Sequence, residues 1–253
     1  MAIEKTADRT TVRDNHRYVA VRPRPMRTVA EFRAFLRTRG RAETWPDLSG
    51  LPHGNGGRVL VLPVIGRTDH DTMPLRAALD RLGHTTHTSG LGRNFGPTAA
   101  AMAGVLNRTR RLADRHGPIS IVGLSMGGLF ARWAAHEIPD CVQHVATVCS
   151  PFRQPLQSVF TPLGLFARAW DGGLASIAAV EATPSMPWTA IYSRRDGIVA
   201  WRSCMDPDAP EHCYEANCDH VGMSSNHTVL NILANRLAPS RPAPRAPTLR
   251  SST

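Results

Sequence analysis

The sequence predicts an α/β fold built on a mainly parallel central sheet with helices on both faces. Three observations carry that expectation. Arg58–Leu62, the stretch from Ile119 to the turn at Gly123, Val142–Cys149 and Pro187–Ser193 are short apolar runs of the kind that suits buried strands. Segments with helical spacing alternate with them, which is the rhythm of a parallel sheet. Finally, Gly123-Leu-Ser-Met-Gly127 places a serine between glycines at a strand-to-helix turn.

Residues 1–57 form a basic N-terminal extension. The first 27 are polar, Arg-rich and interrupted by Pro23 and Pro25, with no sustained periodicity. From Thr28 to Arg39, Val29, Phe32, Phe35 and Leu36 recur at helical spacing and Gly40 supplies a stop, so one amphipathic helix is expected to pack on the domain. Residues 46–57, rich in Pro and Gly, read as a linker.

The main domain runs over 58–238. Its first strand ends at Pro63. The loop Pro63–Thr72 follows, with His70 and Asp71 as surface or capping groups, and then a helix with Leu75, Ala78, Leu79 and Leu82 on one face, closed by Gly83. A weak strand at His84–Thr88 precedes a pocket-lining loop at Leu91–Pro97 and a long helix over Pro97–His116. Beyond Ser125, Leu129, Phe130, Trp133 and Ala134 give helical spacing to about Glu137, and Val142–Cys149 is the next strand.

Residues 151–187 break this rhythm. Phe160, Leu163, Leu165 and Phe166 lie in an apolar inserted segment, read as a lid or pocket wall. Order resumes with the strand Pro187–Ser193 and a loop carrying Asp196 beside Gly197. A short strand from Cys213 to Asn217 leads to Asp219-His-Val-Gly222. Asn226 then opens a last helix with Val229, Leu230, Leu233 and Leu237 on one face. Residues 239–253 are a Pro- and Arg-rich tail, expected to be disordered.

Ser125, Asp196 and His220 each follow a predicted strand, so a parallel sheet would bring three distant segments to one edge. The glycines around Ser125 permit a strained turn that lifts its hydroxyl clear and aims the N–H of Met126 at the site of a developing negative charge. His220 would act as base toward Ser125, and Asp196 would orient its ring. His227, in the first turn of the closing helix, is the rival base, and Asp219 is the less well placed acid.

With these residues in place, the chain resembles the α/β-hydrolase superfamily, and more narrowly its bacterial esterase and triacylglycerol-lipase-like branch. The resemblance covers residues 58–238. It is carried by Val59-Leu-Val-Leu-Pro63, Gly123-Leu-Ser-Met-Gly-Gly128, Cys149-Ser-Pro-Phe152, Tyr192-Ser-Arg-Arg-Asp-Gly-Ile-Val199 and His220-Val-Gly-Met223. It implies a catalytic triad of Ser125, Asp196 and His220. In a serine hydrolase the loop after the first strand supplies the second oxyanion N–H, here that of Ile65 beside Met126. One departure stands out: relatives place His-Gly or Pro-Gly after that strand, whereas this chain has Pro63-Val64, which bears on the oxyanion hole and on pocket width.

Composition bounds the remaining possibilities. With 253 residues and 42% apolar content, one large domain is enough. The net charge of +10 sits in the tails: residues 1–58 hold 12 Lys/Arg and 6 Asp/Glu, residues 236–253 hold 4 and none, and the segment between them is balanced. The basic tails are candidates for peripheral contact with an anionic surface, and no nucleic-acid motif accompanies them. No membrane-length apolar run or leader is evident, so a cytoplasmic location is expected. Cys141, Cys149, Cys204, Cys213 and Cys218 form an odd set without a framework spacing. The grouping of Cys204, Cys213 and Cys218 with His212 and His220 lacks zinc-ligand spacing, so no metal and no cofactor is expected.

The expectation is therefore a serine hydrolase that cleaves a small carboxylic ester with an apolar acyl group through an acyl-enzyme on Ser125. The same triad also serves amide, thioester and acyl-transfer chemistry. The alternative from another class is a hydrolase-like binding protein with weak or no catalysis, for which Val64 speaks.

Overall fold

A computed structural model describes residues 23, 25–37, 47–154 and 173–238. Among the described residues, six strands form one sheet, β1 (Arg58–Leu62), β2 (Thr85–Thr88), β3 (Ile119–Leu124), β4 (Val142–Val148), β5 (Trp188–Tyr192) and β6 (Cys213–Glu215). Their order across the sheet is β2-β1-β3-β4-β5-β6, and every neighbouring pair is parallel. The helices are α1 (Pro25–Arg37), α2 (Met73–Arg81), α3 (Ala99–His116), α4 (Met126–Glu137), α5 (Gly173–Glu181) and α6 (His227–Leu237).

Alternation along the strands explains the layering. Leu60, Leu62, Ile119, Ile121, Val145, Trp188 and Ala190 face one way and pack with Met102 and Val105 of α3 and with Leu129, Phe130 and Trp133 of α4. Val59, Val61, Val122, Leu124, Ala146, Val148 and Ile191 face the other way, onto Leu75, Ala78 and Leu79 of α2 and Val229, Leu230 and Leu233 of α6. Successive side chains of a strand point to opposite faces, so continuous apolar runs such as Val59–Leu62 feed both cores. The predicted parallel sheet with helices on both faces is borne out.

Element ends follow local chemistry. The Thr98 side chain accepts from the N–H of Ala101 and so caps α3, while Asn226 accepts from Thr228 and Val229 to cap α6. The chain leaves β1 in one direction to form β2 and returns on the other side as β3. The crevice of such a sheet opens at this reversal, at the carboxyl ends of the strands.

A helix is present as α1 where one was predicted over Thr28–Arg39, and the placement of Val29 corrects the expectation. Val29, assigned to the packing face, is 53% exposed, whereas Thr28 and Glu31 are turned inward and buried. The expected loose segment 1–27 lies largely outside the described residues. Positions 155–172 of the insertion, with Phe160, Leu163, Leu165 and Phe166, and the tail 239–253 also lie outside them. The described end of the insertion is α5. Arg132 of α4, buried beneath it, donates to the carbonyls of Val180 and Ala182 at 2.6 and 2.7 Å and lies 4.0 Å from the Phe152 ring centre. No described helix is long and apolar enough to cross a membrane.

Candidate active site

The turn between β3 and α4 positions Ser125 by backbone geometry. Its φ of 52° and ψ of −118° lie where L-residues are strained, and its N–H donates to the Val148 carbonyl at 2.8 Å, tying the turn to β4. Close approach fixes the flanking glycines. A side chain at Gly123 would meet the backbone of Gly127 and Gly128, one at Gly127 would meet the carbonyl of Leu62, and one at Gly128 would meet the Ser150 side chain. The start of α4 is thus pressed against the end of β1.

Ser125, His220 and Asp196 are brought together. Ser125 Oγ lies 3.0 Å from His220 Nε2, and His220 Nδ1 lies 2.6 Å from Asp196 Oδ2. A carboxylate only accepts, so Nδ1 carries the proton toward Asp196 and Nε2 is left to accept from the Ser125 hydroxyl. The other Asp196 oxygen accepts from the N–H groups of Ile198 and Val199 at 2.8 and 2.7 Å. An aspartate side chain that accepts from the N–H groups two and three residues on forms such a turn by itself. All three side chains are buried.

Burial is the largest influence on His220 and pushes its pKa down, but the charge and hydrogen bond of Asp196, aided by Glu31, outweigh it and hold the value above the ordinary histidine range. Cys149 Sγ shares this neighbourhood, within 4.8 Å of both an Asp196 oxygen and a His220 nitrogen. A hydrogen bond to Cys218 and burial push its thiol well above the usual value, so it stays protonated. Among the described residues, no metal-ligand group assembles Cys204, Cys213 and Cys218 with His212 and His220.

The two rivals stand apart. His227 is exposed at the start of α6, and Asp219 is exposed and paired with Arg195 at 3.3 Å.

The loop after β1 reaches the site beside the Ser125 turn, because Leu62 of β1 is in register with Gly123 of β3. Val64 to Arg67 forms a turn closed by Arg67 N–H donating to the Val64 carbonyl at 3.2 Å, with Gly66 at φ 74°. The glycine missing after Pro63 is therefore supplied two residues later. Ile65 occupies the second position of that turn, and Met126 is the first residue of α4, a position whose N–H has no intrahelical acceptor. Asn94 braces the loop: its side chain donates to the Pro63 carbonyl at 2.8 Å, and its carbonyl accepts from Gly66 N–H at 2.6 Å.

Sequence reasoning missed Glu31. Its carboxylate accepts from the N–H groups of Gly197, His220 and Val221 at 2.6, 3.0 and 2.8 Å. The available signal is that Glu31 is the only acid in an otherwise Arg-rich helix, three residues after Thr28.

The sheet order, the switch point and the Ser125 turn define an α/β-hydrolase fold. Solved structures agree. A structure of the metagenome-derived lipolytic enzymes LipS and LipT is similar with a TM-score of 0.53 at 19% identity, over 74% of this chain and 93% of that one. A metagenomic carboxyl esterase is similar with a TM-score of 0.54 at 15% identity, over 77% and 80% of the two chains. Lipase B of Aspergillus fumigatus gives 0.53 at 14% identity, over 83% and 67%. The resemblance read from the sequence is thus borne out at the level of the fold. No family model matches the chain, and no curated protein matches it.

Proposed function

We propose that the protein is a serine hydrolase that cleaves carboxylic esters through an acyl-enzyme on Ser125. The observation that carries this reading is the hydrogen-bonded series Ser125–His220–Asp196, on a strained turn at the carboxyl edge of the sheet. Folds of this kind host many activities, so the reading rests on the site, and the lipolytic and esterase neighbours agree with it.

In the proposed cycle His220 Nε2 takes the Ser125 proton as Oγ attacks the ester carbonyl carbon. The carbonyl π electrons move onto oxygen, which is met by the N–H groups of Met126 and Ile65. When the tetrahedral intermediate collapses, the C–O bond to the alcohol breaks and His220 returns the proton to the leaving oxygen. Water, deprotonated by the same nitrogen, then attacks the acyl-enzyme and releases the acid and Ser125. Asp196 keeps the imidazole in the productive tautomer and stabilises its protonated form.

The test is hydrolysis of p-nitrophenyl esters of increasing acyl length by the native protein beside Ser125→Ala and His220→Ala. Turnover by the native chain alone is expected, and its chain-length optimum reports on the acyl pocket. A native protein that is inert across the series and is not labelled by a fluorophosphonate would overturn the reading in favour of a hydrolase-like binding protein.

A further inference from the structure

The acid and base of the site sit on separate loops after the neighbouring strands β5 and β6, which are linked at their start by the Ser193 hydroxyl donating to the Cys218 carbonyl and at the surface by the Arg195–Asp219 pair. Glu31 joins them from a third element. One of its oxygens accepts both from Gly197 N–H, the peptide directly after Asp196, and from His220 N–H, while its second oxygen accepts from Val221 N–H. These partners lie 166, 189 and 190 residues away in the chain. Thr28, one turn earlier on α1, donates its hydroxyl to the Gly197 carbonyl at 2.6 Å. A side chain at Gly197 would press on Arg27 at 3.0 Å from its carbonyl group, so α1 rests directly on the acid loop.

Glu31 is 7% exposed. A carboxylate at that depth is costly unless it is satisfied, and here it is satisfied by backbone donors of the two loops that carry Asp196 and His220. Packing alone would be served by an apolar residue at this position of an amphipathic helix. The carboxylate additionally supplies negative charge beside the imidazole.

We propose that Glu31 is a positioning residue, whose carboxylate fixes the Asp196 loop against the His220 loop from the N-terminal helix. This rests on the reading of Ser125, His220 and Asp196 as the hydrolytic triad. Glu31 does not reach the reacting atoms; it acts through the backbone of the residues that do. The groups facing His220 are Asp196 from the β5 loop, Glu31 from α1, Cys149 from the end of β4 and Cys218 from the β6 loop, with Arg195 and Asp219 paired at the surface beside them.

The test compares the full-length native chain with Glu31→Gln and Glu31→Asp, reading kcat and KM on p-nitrophenyl acetate and the His220 pKa by NMR titration of its ring. Glutamine keeps the size but loses the charge and offers an amide NH2 where an acceptor is needed. Its kcat is expected to fall on the order of tenfold or more with little change in KM, because a displaced base is misaligned for proton transfer. Loss of the anion should also lower the His220 pKa, moving the acid limb of kcat/KM to lower pH. Aspartate keeps the charge but falls one methylene short of spanning both loops, so kcat should fall while the His220 pKa stays closer to native. That variant carries the test if Glu31→Gln does not fold.

A lowered melting temperature with native kcat and native His220 pKa in a folded variant would overturn the proposal and leave α1 as a packing element. If the native chain proves inert on esters and toward fluorophosphonate, the hydrolase reading fails separately. The ring titration of His220 in Glu31→Gln then still decides whether the Glu31 carboxylate acts on that imidazole.

Discussion

The side-chain amide of Asn94 donates to the carbonyl of Pro63 at 2.8 Å, across 31 residues of chain. This bond, with those from Gly66 N–H to the Asn94 carbonyl and from Asn94 N–H to the Arg67 carbonyl, holds the turn that carries Ile65. If Ile65 N–H meets the developing oxyanion, Asn94→Ala should act on kcat more than on KM. A drop of about ten- to a hundredfold is expected, less than the loss of an oxyanion donor itself, because the turn loosens without disappearing. Steady-state kinetics on a short-chain ester checks this.

Gly127 predicts a sharp contrast with Gly57. A Cβ at Gly127 would collide with the Leu62 carbonyl, and neither backbone can give way without separating α4 from β1. At Gly57 the nearest atoms are at 3.6 and 3.7 Å, ordinary contacts. Gly127→Ala should therefore destabilise the fold by about 3 kcal/mol or more and abolish turnover, and Gly57→Ala should stay within about 0.5 kcal/mol of native. Urea unfolding of the two variants measures the difference.

The same contrast marks what the sequence disclosed. Ser125, Asp196 and His220 were legible because each follows an apolar run that reads as a strand, and a parallel sheet gathers such positions at one edge. The strand runs were legible because burial on both faces leaves no polar alternation. Glu31 was not, since its partners are backbone N–H groups more than 160 residues away and local periodicity records only that a helix packs. Periodicity also put Val29 on the packing face, where tertiary contacts favoured Thr28 and Glu31. The Pro63-Val64 departure read as a loss at the oxyanion loop because the compensating φ of Gly66 appears only in the folded turn.

Asp196 tests the tautomer assignment. Asp196→Asn retains an oxygen for the Ile198 and Val199 N–H groups but replaces Oδ2 with a donor facing His220 Nδ1. The imidazole would then present N–H rather than a lone pair to Ser125. Activity should fall about a thousand- to ten-thousandfold near neutral pH. If His220 is the base of the proposed cycle, its protonation in the native protein removes that base, so kcat/KM should decline on acidification with a midpoint above the ordinary histidine value of 6.5. In Asp196→Asn that midpoint should move down, because the largest favourable influence on the imidazolium is gone.

His144 supplies a prediction about stability rather than rate. It sits on β4, 7% exposed, with Nε2 3.1 Å from Thr189 Oγ1. Burial pushes its pKa down to about 4, with Arg236 and His212 adding to the shift. The unfolded chain would protonate this ring near 6.5, so below that pH the unfolded state binds the proton more readily and stability is lost as pH falls toward 4. His220 runs the other way, since a raised folded value gives stabilisation that is complete below 6.5 and is lost as pH rises above it, a slope common to native and variant that cancels between them. For the shift at His144 the cost at pH 5 is about 2 kcal/mol. His84 and His87, also lowered chiefly by burial, slope the same way, so the comparison must be with a variant. His144→Gln keeps a partner for Thr189 but cannot titrate. Relative to native, it should gain about 2 kcal/mol of stability between pH 8 and pH 5 in urea unfolding, and parallel pH profiles for the two proteins would show that the ring is not held neutral by the fold.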